Sequence, residues 1–511
     1  MKYTEQQKQF IKRAREIISD NPYDRLGPKT KQIIDTNNFV FDAHCHIFDG
    51  ACVSVTYLVT RFLLSFAEFL PPRIYWIVKK IFRRIFGIRT FETDLEEQLS
   101  VKAFIEKLVE GSNAFLEASD AEIQAETDQP IEEFINEINS VLDNDELTAD
   151  SLDRETFLDE FETYFKELDR QLNLEEITFA EAETVAFLSF DRKGFFKRLW
   201  RIISILRSTK MQAVLTQFEN KYAIRHVYNK LFNANKDQLS IVLGMDLNSG
   251  WEETSEKDYI QQNNELGGLS KTRAILPYLP VDPRRADDKG EGNLYEVFLR
   301  AFNRDNPSYF GVKCYPALGY LPTDQRLDPI FKICAEKNIP VLTHCGGEMI
   351  STFVNPVVAY RGTQKVEFKD QLRKDRARKL NEPIEWEPVL AKHINLRLCL
   401  GHFGGKGAWN GESATKDRIK TILNMMATYP NLYADFSFNL ESQVTVNKFK
   451  TKLFANNSEG KIMRERSMFG TDFWVVLPIS DLNKDQKNFL KEMEDFCDQL
   501  VTENVVKYLN L

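Results

Sequence analysis

The sequence predicts an α/β protein built on a (β/α)₈ TIM barrel, with a large helical insertion between the barrel's first and second strands. Eight short, nearly continuous apolar runs are bounded by turn residues, and the stretches between the later runs show helical apolar spacing. Runs of that kind are strands buried on both faces of a parallel sheet. Eight βα-type units is the number that closes a barrel. An open doubly wound sheet is the rival, but no glycine-rich phosphate turn follows the first run.

In chain order, residues 1–37 read as a polar helical leader. It begins "MKYTEQQKQFIKRAREIISD", charged throughout and without the apolar core of a secretory signal. The first strand, "NFVFDAHCH", opens the barrel, assigned to 38–54 and 236–511. The remaining strands are "QLSIVLGMDLN" (238–248), "TRAILPYLPVDP" (272–283), "YFGVKCYPAL" (309–318), "IPVLTHCGG" (339–347), "LRLCLGHFGG" (396–405), "NLYADFSF" (431–438) and "RSMFGTDFW" (466–474). Between them, "NLYEVFLRAFNRDN" and "ATKDRIKTILNMMATYP" carry apolar residues at three-to-four spacing. "LDPIFKICAEKN" opens on Asp-Pro, a common helix start.

Residues 55–235 form the insertion, expected to be a helical cap or lid with an acidic middle. Residues 92–191 hold roughly 30 acids against about 5 bases, so the rest of the chain is net basic. Two basic amphipathic pieces, "RIYWIVKKIFRRIFGIR" and "KGFFKRLWRIISILRSTK", flank that middle. One reading packs their basic faces on the acidic bundle. The other makes a membrane-surface or acyl-chain-binding lid. Charges and Pro71–Pro72 interrupt the apolar segment 52–87, so no uncharged run reaches the ~20 residues of a bilayer crossing.

The formal net charge of −9 over 511 residues argues against a nucleic-acid partner. The seven cysteines form no CxxC pair or regular framework, which reads as reduced thiols in a cytoplasmic protein.

The chemistry sits at strand ends. Four of the six histidines and one aspartate fall at the carboxyl ends of predicted strands: His44 and His46 on the first, His344 on the fifth, His402 on the sixth, Asp472 on the eighth. Barrel active sites are assembled there. Residues i and i+2 of a strand share a face, so His44 and His46 can grip one ion. Imidazole nitrogen and carboxylate oxygen suit Zn²⁺ or a similar divalent metal. His44, His46, His344 and Asp472 supply such a set, leaving His402 as general base or as ligand to a second metal. His226 and His393 lie in helical context and read as ordinary surface or core residues.

"DAHCHIFDG", "VLTHCGGE", "LGHFGG" and "FGTDFW" resemble the metal-binding signatures of the amidohydrolase superfamily. They are most similar to the amidohydrolase-related branch that holds aminocarboxymuconate-semialdehyde decarboxylase and ring-opening hydrolases. The resemblance implies a barrel with the metal at its mouth, His44, His46, His344 and Asp472 as ligands, and His402 as an acid/base. Lys313, at the end of the fourth strand, departs from that branch. It reads as a carbamylated bridge between two metals, a cation for a substrate carboxylate, or a structural lysine. One Zn²⁺ is expected, or two if Lys313 is carbamylated. Trp251, Arg284, Arg285, Tyr315, Tyr320, Lys406 and Trp409 follow strand ends and are candidate substrate contacts.

The expected activity is hydrolysis of an amide, lactone or related carbonyl bond by a metal-activated water, with Asp472 and His402 as catalytic residues. A non-oxidative decarboxylase on the same metal platform is the alternative, and a scaffold or membrane-surface protein acting through 55–235 a weaker one. The expected partner is a small molecule bearing a carbonyl or carboxylate, and family analogy suggests a homodimer.

Overall fold

Eight strands pair in parallel in the order β1 (Phe39–Cys45), β2 (Asp237–Leu243), β3 (Ile275–Val281), β4 (Gly311–Cys314), β5 (Val341–His344), β8 (Leu398–Gly401), β9 (Leu432–Asp435) and β10 (Ser467–Met468). Each overlaps one of the eight apolar runs. The computed structural model describes residues 3–47, 52, 237–251, 255, 257–346, 350–370, 372–473 and 482–511. The chain divides into two compact units, Met1–Phe48 with Ile224–Leu511, and Asp49–Ala223. The insertion expected at 55–235, with its cap, lid and membrane-surface readings, lies outside the described residues, as does His226.

The chain after β10 closes the barrel against β1. The Ala43 N–H donates to Phe469 O at 3.0 Å, the Asp472 N–H donates to His44 O at 2.8 Å, and Cys45 pairs in parallel with Phe473. A side chain from or beside every one of the eight strands joins a single interior core. That core includes Phe39, Phe41, Ile241, Tyr278, Phe310, Leu342, Cys399, Tyr433 and Met468, and the Asn504–Leu509 helix plugs its lower end with Val505, Tyr508 and Leu509. The Tyr508 hydroxyl donates to Val341 O, at the first residue of β5, at 2.8 Å.

β1 carries one irregularity that decides where its histidines point. Asp42 pairs with Ser240, but Cys45 pairs with Val242, so β1 holds one more residue than β2 over this step. Phe39, Phe41 and Ala43 belong to the interior core, and strict alternation would turn His44 and His46 to the opposite face. A bulge of one residue resets that phase and re-aims the side chains beyond it.

The leader forms two helices, Glu5–Ile17 and Pro28–Ile34. The first is capped reciprocally by Thr4 and Gln7. Arg15 reaches across to Glu336 with two hydrogen bonds, 2.8 and 2.7 Å. The expected helices appear at Leu294–Ala301, Asp328–Glu336 and Arg418–Thr428. An antiparallel hairpin, β6 (Val357–Arg361) with β7 (Gln364–Phe368), stands outside the barrel sheet. No helix among the described residues is long and apolar enough to cross a membrane.

Candidate metal centre

Three devices fix the histidines of β1. The buried Asp42 carboxylate accepts from the His44 N–H at 3.1 Å, the Thr471 N–H at 2.9 Å and the Thr471 hydroxyl at 2.6 Å, tying β1 to the stretch that carries Asp472. Gly401 and Gly470 let neighbouring backbone approach His44. An added Cβ would lie 3.0 Å from His44 Cε1 at the first and 2.8 Å from His44 Cβ at the second. Asp472 and His402 both adopt left-handed backbone, with φ of 53° and 63°. Such conformations cost about 1–3 kcal/mol each in a non-glycine residue and concentrate at functional sites.

His44, His46 and Asp472 converge. Their side chains are 0–5% exposed, and Asp472 Oδ1 lies 3.5 Å from His44 Nε2 and 3.2 Å from His46 Nε2. The other nitrogen of each ring is already used: His44 Nδ1 donates to Asp435 Oδ2 at 2.9 Å, and His46 Nδ1 donates to Leu243 O at 3.0 Å. In its neutral form each ring turns the lone pair of Nε2 toward a carboxylate oxygen, so that three acceptors meet there. A cation between them relieves that repulsion. Two ligands held about 2.0–2.1 Å from a tetrahedral ion sit about 3.3 Å apart, which is the spacing found. His44 Nε2 and Asp472 Oδ1 also make no hydrogen bond although they are buried. The residues fit a divalent metal.

A hydrogen-bonded chain runs behind this cluster. Asp435, at the end of β9, accepts at Oδ1 from the His402 N–H, the Ser437 N–H and the Ser437 hydroxyl, and at Oδ2 from His44. The Ser437 hydroxyl also lies 2.8 Å from His402 Nδ1, and His402 Nε2 lies 3.0 Å from His344 Nδ1. His344 thus joins the chain through His402, and among the described residues neither group of ligand atoms lying within 4.8 Å of one another includes it. His44, His402 and Asp435 also offer three atoms within 4.8 Å of one another, but Asp435 is saturated with hydrogen bonds, so this group is a positioning set.

Electrostatics follow from burial. Burial pushes Asp472 up, but its contact with His46 and the charges of the surrounding imidazoles outweigh that and hold it well below the usual carboxylate range. Burial, then His44, pushes His402 down to about 4, and burial also lowers His46. Lys313 is 2% exposed at the end of β4. Burial lowers it to about 8 although Asp435 and Asp472 pull the other way. Its ammonium makes no hydrogen bond and sits 5.6 Å from the centre of the Tyr315 ring, which packs 4.2 Å from His344.

The other substrate candidates are engaged elsewhere, Tyr315 apart. Arg284 binds Asp282 and Leu318 O, and Arg285 clamps Asp246 through two hydrogen bonds of 2.6 and 2.9 Å. The Tyr320 hydroxyl joins the Tyr315 N–H to Val281 O. Lys406 pairs with Glu441 at 3.0 Å. Trp409 is buried among Phe403, Phe436 and Phe449, and Trp251 donates to Ser351 O. His393 ends a helix and pairs with Asp328. Sequence reasoning missed Asp42, Asp435, Ser437 and Thr471. An aspartate inside a buried apolar strand, as in "LYADF" and "FVFDA", is the signal that finds the first two, because such a group must be paired.

The family model described as Amidohydrolase matches residues 305–495, which span β4 to β10. This part of the barrel resembles the amidohydrolase family. Among solved structures, the chain is similar to an uncharacterized TIM-barrel protein from Bordetella bronchiseptica (14% identity, TM-score 0.38, 56% of this chain and 82% of that one). It is also similar to an amidohydrolase from Burkholderia multivorans with bound zinc (13%, 0.36, 58% and 92%). A third is 5-carboxyvanillate decarboxylase from Novosphingobium aromaticivorans complexed with manganese (12%, 0.35, 62% and 88%). No curated protein matches the chain.

Proposed function

We propose that this protein is an amidohydrolase-type enzyme that hydrolyses an amide, lactone or related carbonyl bond of a small molecule. The observation that carries the reading is the approach of His44 Nε2 and His46 Nε2 to within 3.5 Å of Asp472 Oδ1, with both rings held by their far nitrogens. His44, His46 and Asp472 would hold the ion, with His344 completing the set, and the nitrogen and oxygen donors favour zinc. A metal bound there supplies an acidified water and polarises the carbonyl.

Asp472, kept ionised by its surroundings, is the group that takes the water's proton and passes it to the leaving group. His402 is neutral near pH 7 and braces His344. The Lys313 ammonium, buried and without a hydrogen bond, suits a carboxylate or a developing oxyanion on the substrate. The same cation supports a second reading, a non-oxidative decarboxylase, because a buried ammonium beside the metal seat can hold the carboxylate that is lost. Cys45, Cys314, Cys334, Cys345 and Cys399 are buried free thiols, in keeping with a reducing compartment such as the cytoplasm.

The test begins with elemental analysis of the purified full chain, then a panel of lactones, amides and carboxylated aromatics. The hydrolase reading expects one ion per chain and incorporation of ¹⁸O from water into product. CO₂ release without that incorporation favours the decarboxylase. A metal-free protein with full turnover overturns both.

A further inference from the structure

The hydrogen-bonded chain behind the metal seat fixes where each imidazole proton sits, and its direction is set by one hydroxyl. Asp435 Oδ1 accepts from two backbone N–H groups and from Ser437, while Oδ2 accepts from His44 Nδ1 and lies 3.5 Å from Cys399 Sγ. A carboxyl with its lone pairs committed in this way carries no proton. The contact between Ser437 Oγ and Asp435 Oδ1 must then use the only proton of the serine hydroxyl. Ser437 Oγ has lone pairs left for its other neighbour, His402 Nδ1, 2.8 Å away, so His402 Nδ1 is the donor.

A neutral imidazole has one N–H. With that proton on Nδ1, His402 Nε2 is an acceptor, and the group facing it at 3.0 Å is His344 Nδ1. His344 must therefore carry its own proton on Nδ1, which leaves the lone pair on His344 Nε2. We infer that Ser437 is a positioning residue that sets the tautomer of His402 and, through it, of His344. Its hydroxyl passes the polarity of the Asp435 carboxylate along two rings to a nitrogen able to bind a metal.

The wider consequence is uniformity. His44 and His46 are driven to the same form by Asp435 and by Leu243 O. Four of the six histidines then carry the proton on Nδ1, the minority form of neutral histidine in water, so the signature stands out from His393, whose Nε2 must carry hydrogen to meet Asp328 Oδ1 at 2.9 Å. The orientation of a ligating ring by the group on its far nitrogen is worth about 10–100-fold in metal affinity. Here the far group of His344 is another histidine, and the fixed reference lies two hydrogen bonds further back.

The experiment uses the full chain with all histidines ¹⁵N-labelled, stripped of metal with a chelator, at a pH where His402 is neutral. Two-bond ¹⁵N–¹H correlation spectra read which ring nitrogen carries hydrogen, with assignment by single His→Gln replacements. Wild type is expected to show Nδ1–H for His44, His46, His344 and His402. Ser437→Ala is expected to move His402 and His344 to Nε2–H while leaving His44 and His46 unchanged, and to weaken zinc binding about 10–100-fold. Ser437→Thr, which keeps the hydroxyl, restores both. A wild-type spectrum with His344 protonated on Nε2 overturns the inference, and that reading needs no variant to fold. Unchanged tautomers in Ser437→Ala also overturn it. The zinc arm rests on the proposed metal seat; the spectra do not, so normal tautomer assignments with no zinc binding would sink that seat and spare the relay.

Discussion

At the lower end of the barrel Tyr278, Phe310, Tyr433 and Tyr508 pack into one apolar plug, while at the mouth the same sheet presents His44, His344, His402 and Asp435. The plug sits in regular strand, and its closing helix adds one hydroxyl-to-carbonyl bond. The mouth holds a bulge, four left-handed non-glycine residues (His402, Phe403, Phe438 and Asp472) and buried lone pairs that face each other. Stability and chemistry are thus separated along the strand axis, over distances of only a few residues. Strain is tolerated at one end because burial of large side chains, about 1.5–3 kcal/mol apiece, secures the other.

Four measurements break or sharpen that contrast. The largest effect belongs to the mouth: replacing His44 and His46 together by alanine should lower metal affinity by far more than about 100-fold. Elemental analysis should find background metal, and circular dichroism should show a folded barrel. Tyr508→Ala should do the reverse. It should cost about 3–5 kcal/mol in urea unfolding, as expected for a large aromatic removed from a core, with the metal count of the folded fraction unchanged. A loss of metal equal to that of the histidine variant would show that the two ends are not separable.

Asp435→Asn lies between these extremes, because it replaces an acceptor-only group with one that also donates. It should weaken zinc binding about 10–100-fold, read by competition with a chromogenic chelator, with a smaller stability loss than Tyr508→Ala.

The smallest effect lies on the barrel's flank. Hydrogen bonds from Arg15 hold Glu336 down to about 2, below the ordinary glutamate value. The pair therefore stabilises fully above about pH 4.3 and is lost as pH falls through 2. Glu336→Gln should cost under about 1 kcal/mol at pH 7, since Arg15 is half exposed. The gap from wild type should shrink as pH falls through 2 and vanish below it in a pH series of unfolding curves. A gap that grows on acidification would reverse the assigned sign.

The strands were legible because each is buried on both faces and so reads as an unbroken apolar run. The strand-end histidines were legible because polar groups at the ends of such runs stand out. What the sequence hid is relational. His44 and His46 share a face whether or not β1 carries an extra residue, so HxH spacing says nothing of which face that is. Arg285 looks like a free pocket cation until Asp246, 39 residues away, is seen to clamp it. Trp409 looks like a substrate platform until Phe403, Phe436 and Phe449 close round it. The hairpin β6–β7, with its turn at Gly362, is a surface feature whose alternation is too short to separate from loop.

The extra residue in β1 makes the aim of the imidazoles a matter of chain length rather than of residue identity. Were β1 paired with β2 without that extra residue and the sequence left unchanged, both rings would turn into the shell of helices. Excising Ala43 together with the bulge would have the opposite outcome: Cys45 would keep Val242 as its partner, and His44 would inherit the inward phase of Phe39 and Phe41. Spacing and irregularity therefore compensate one another, and related chains are competent with either count of residues between Phe41 and the histidines, provided the bulge changes with it.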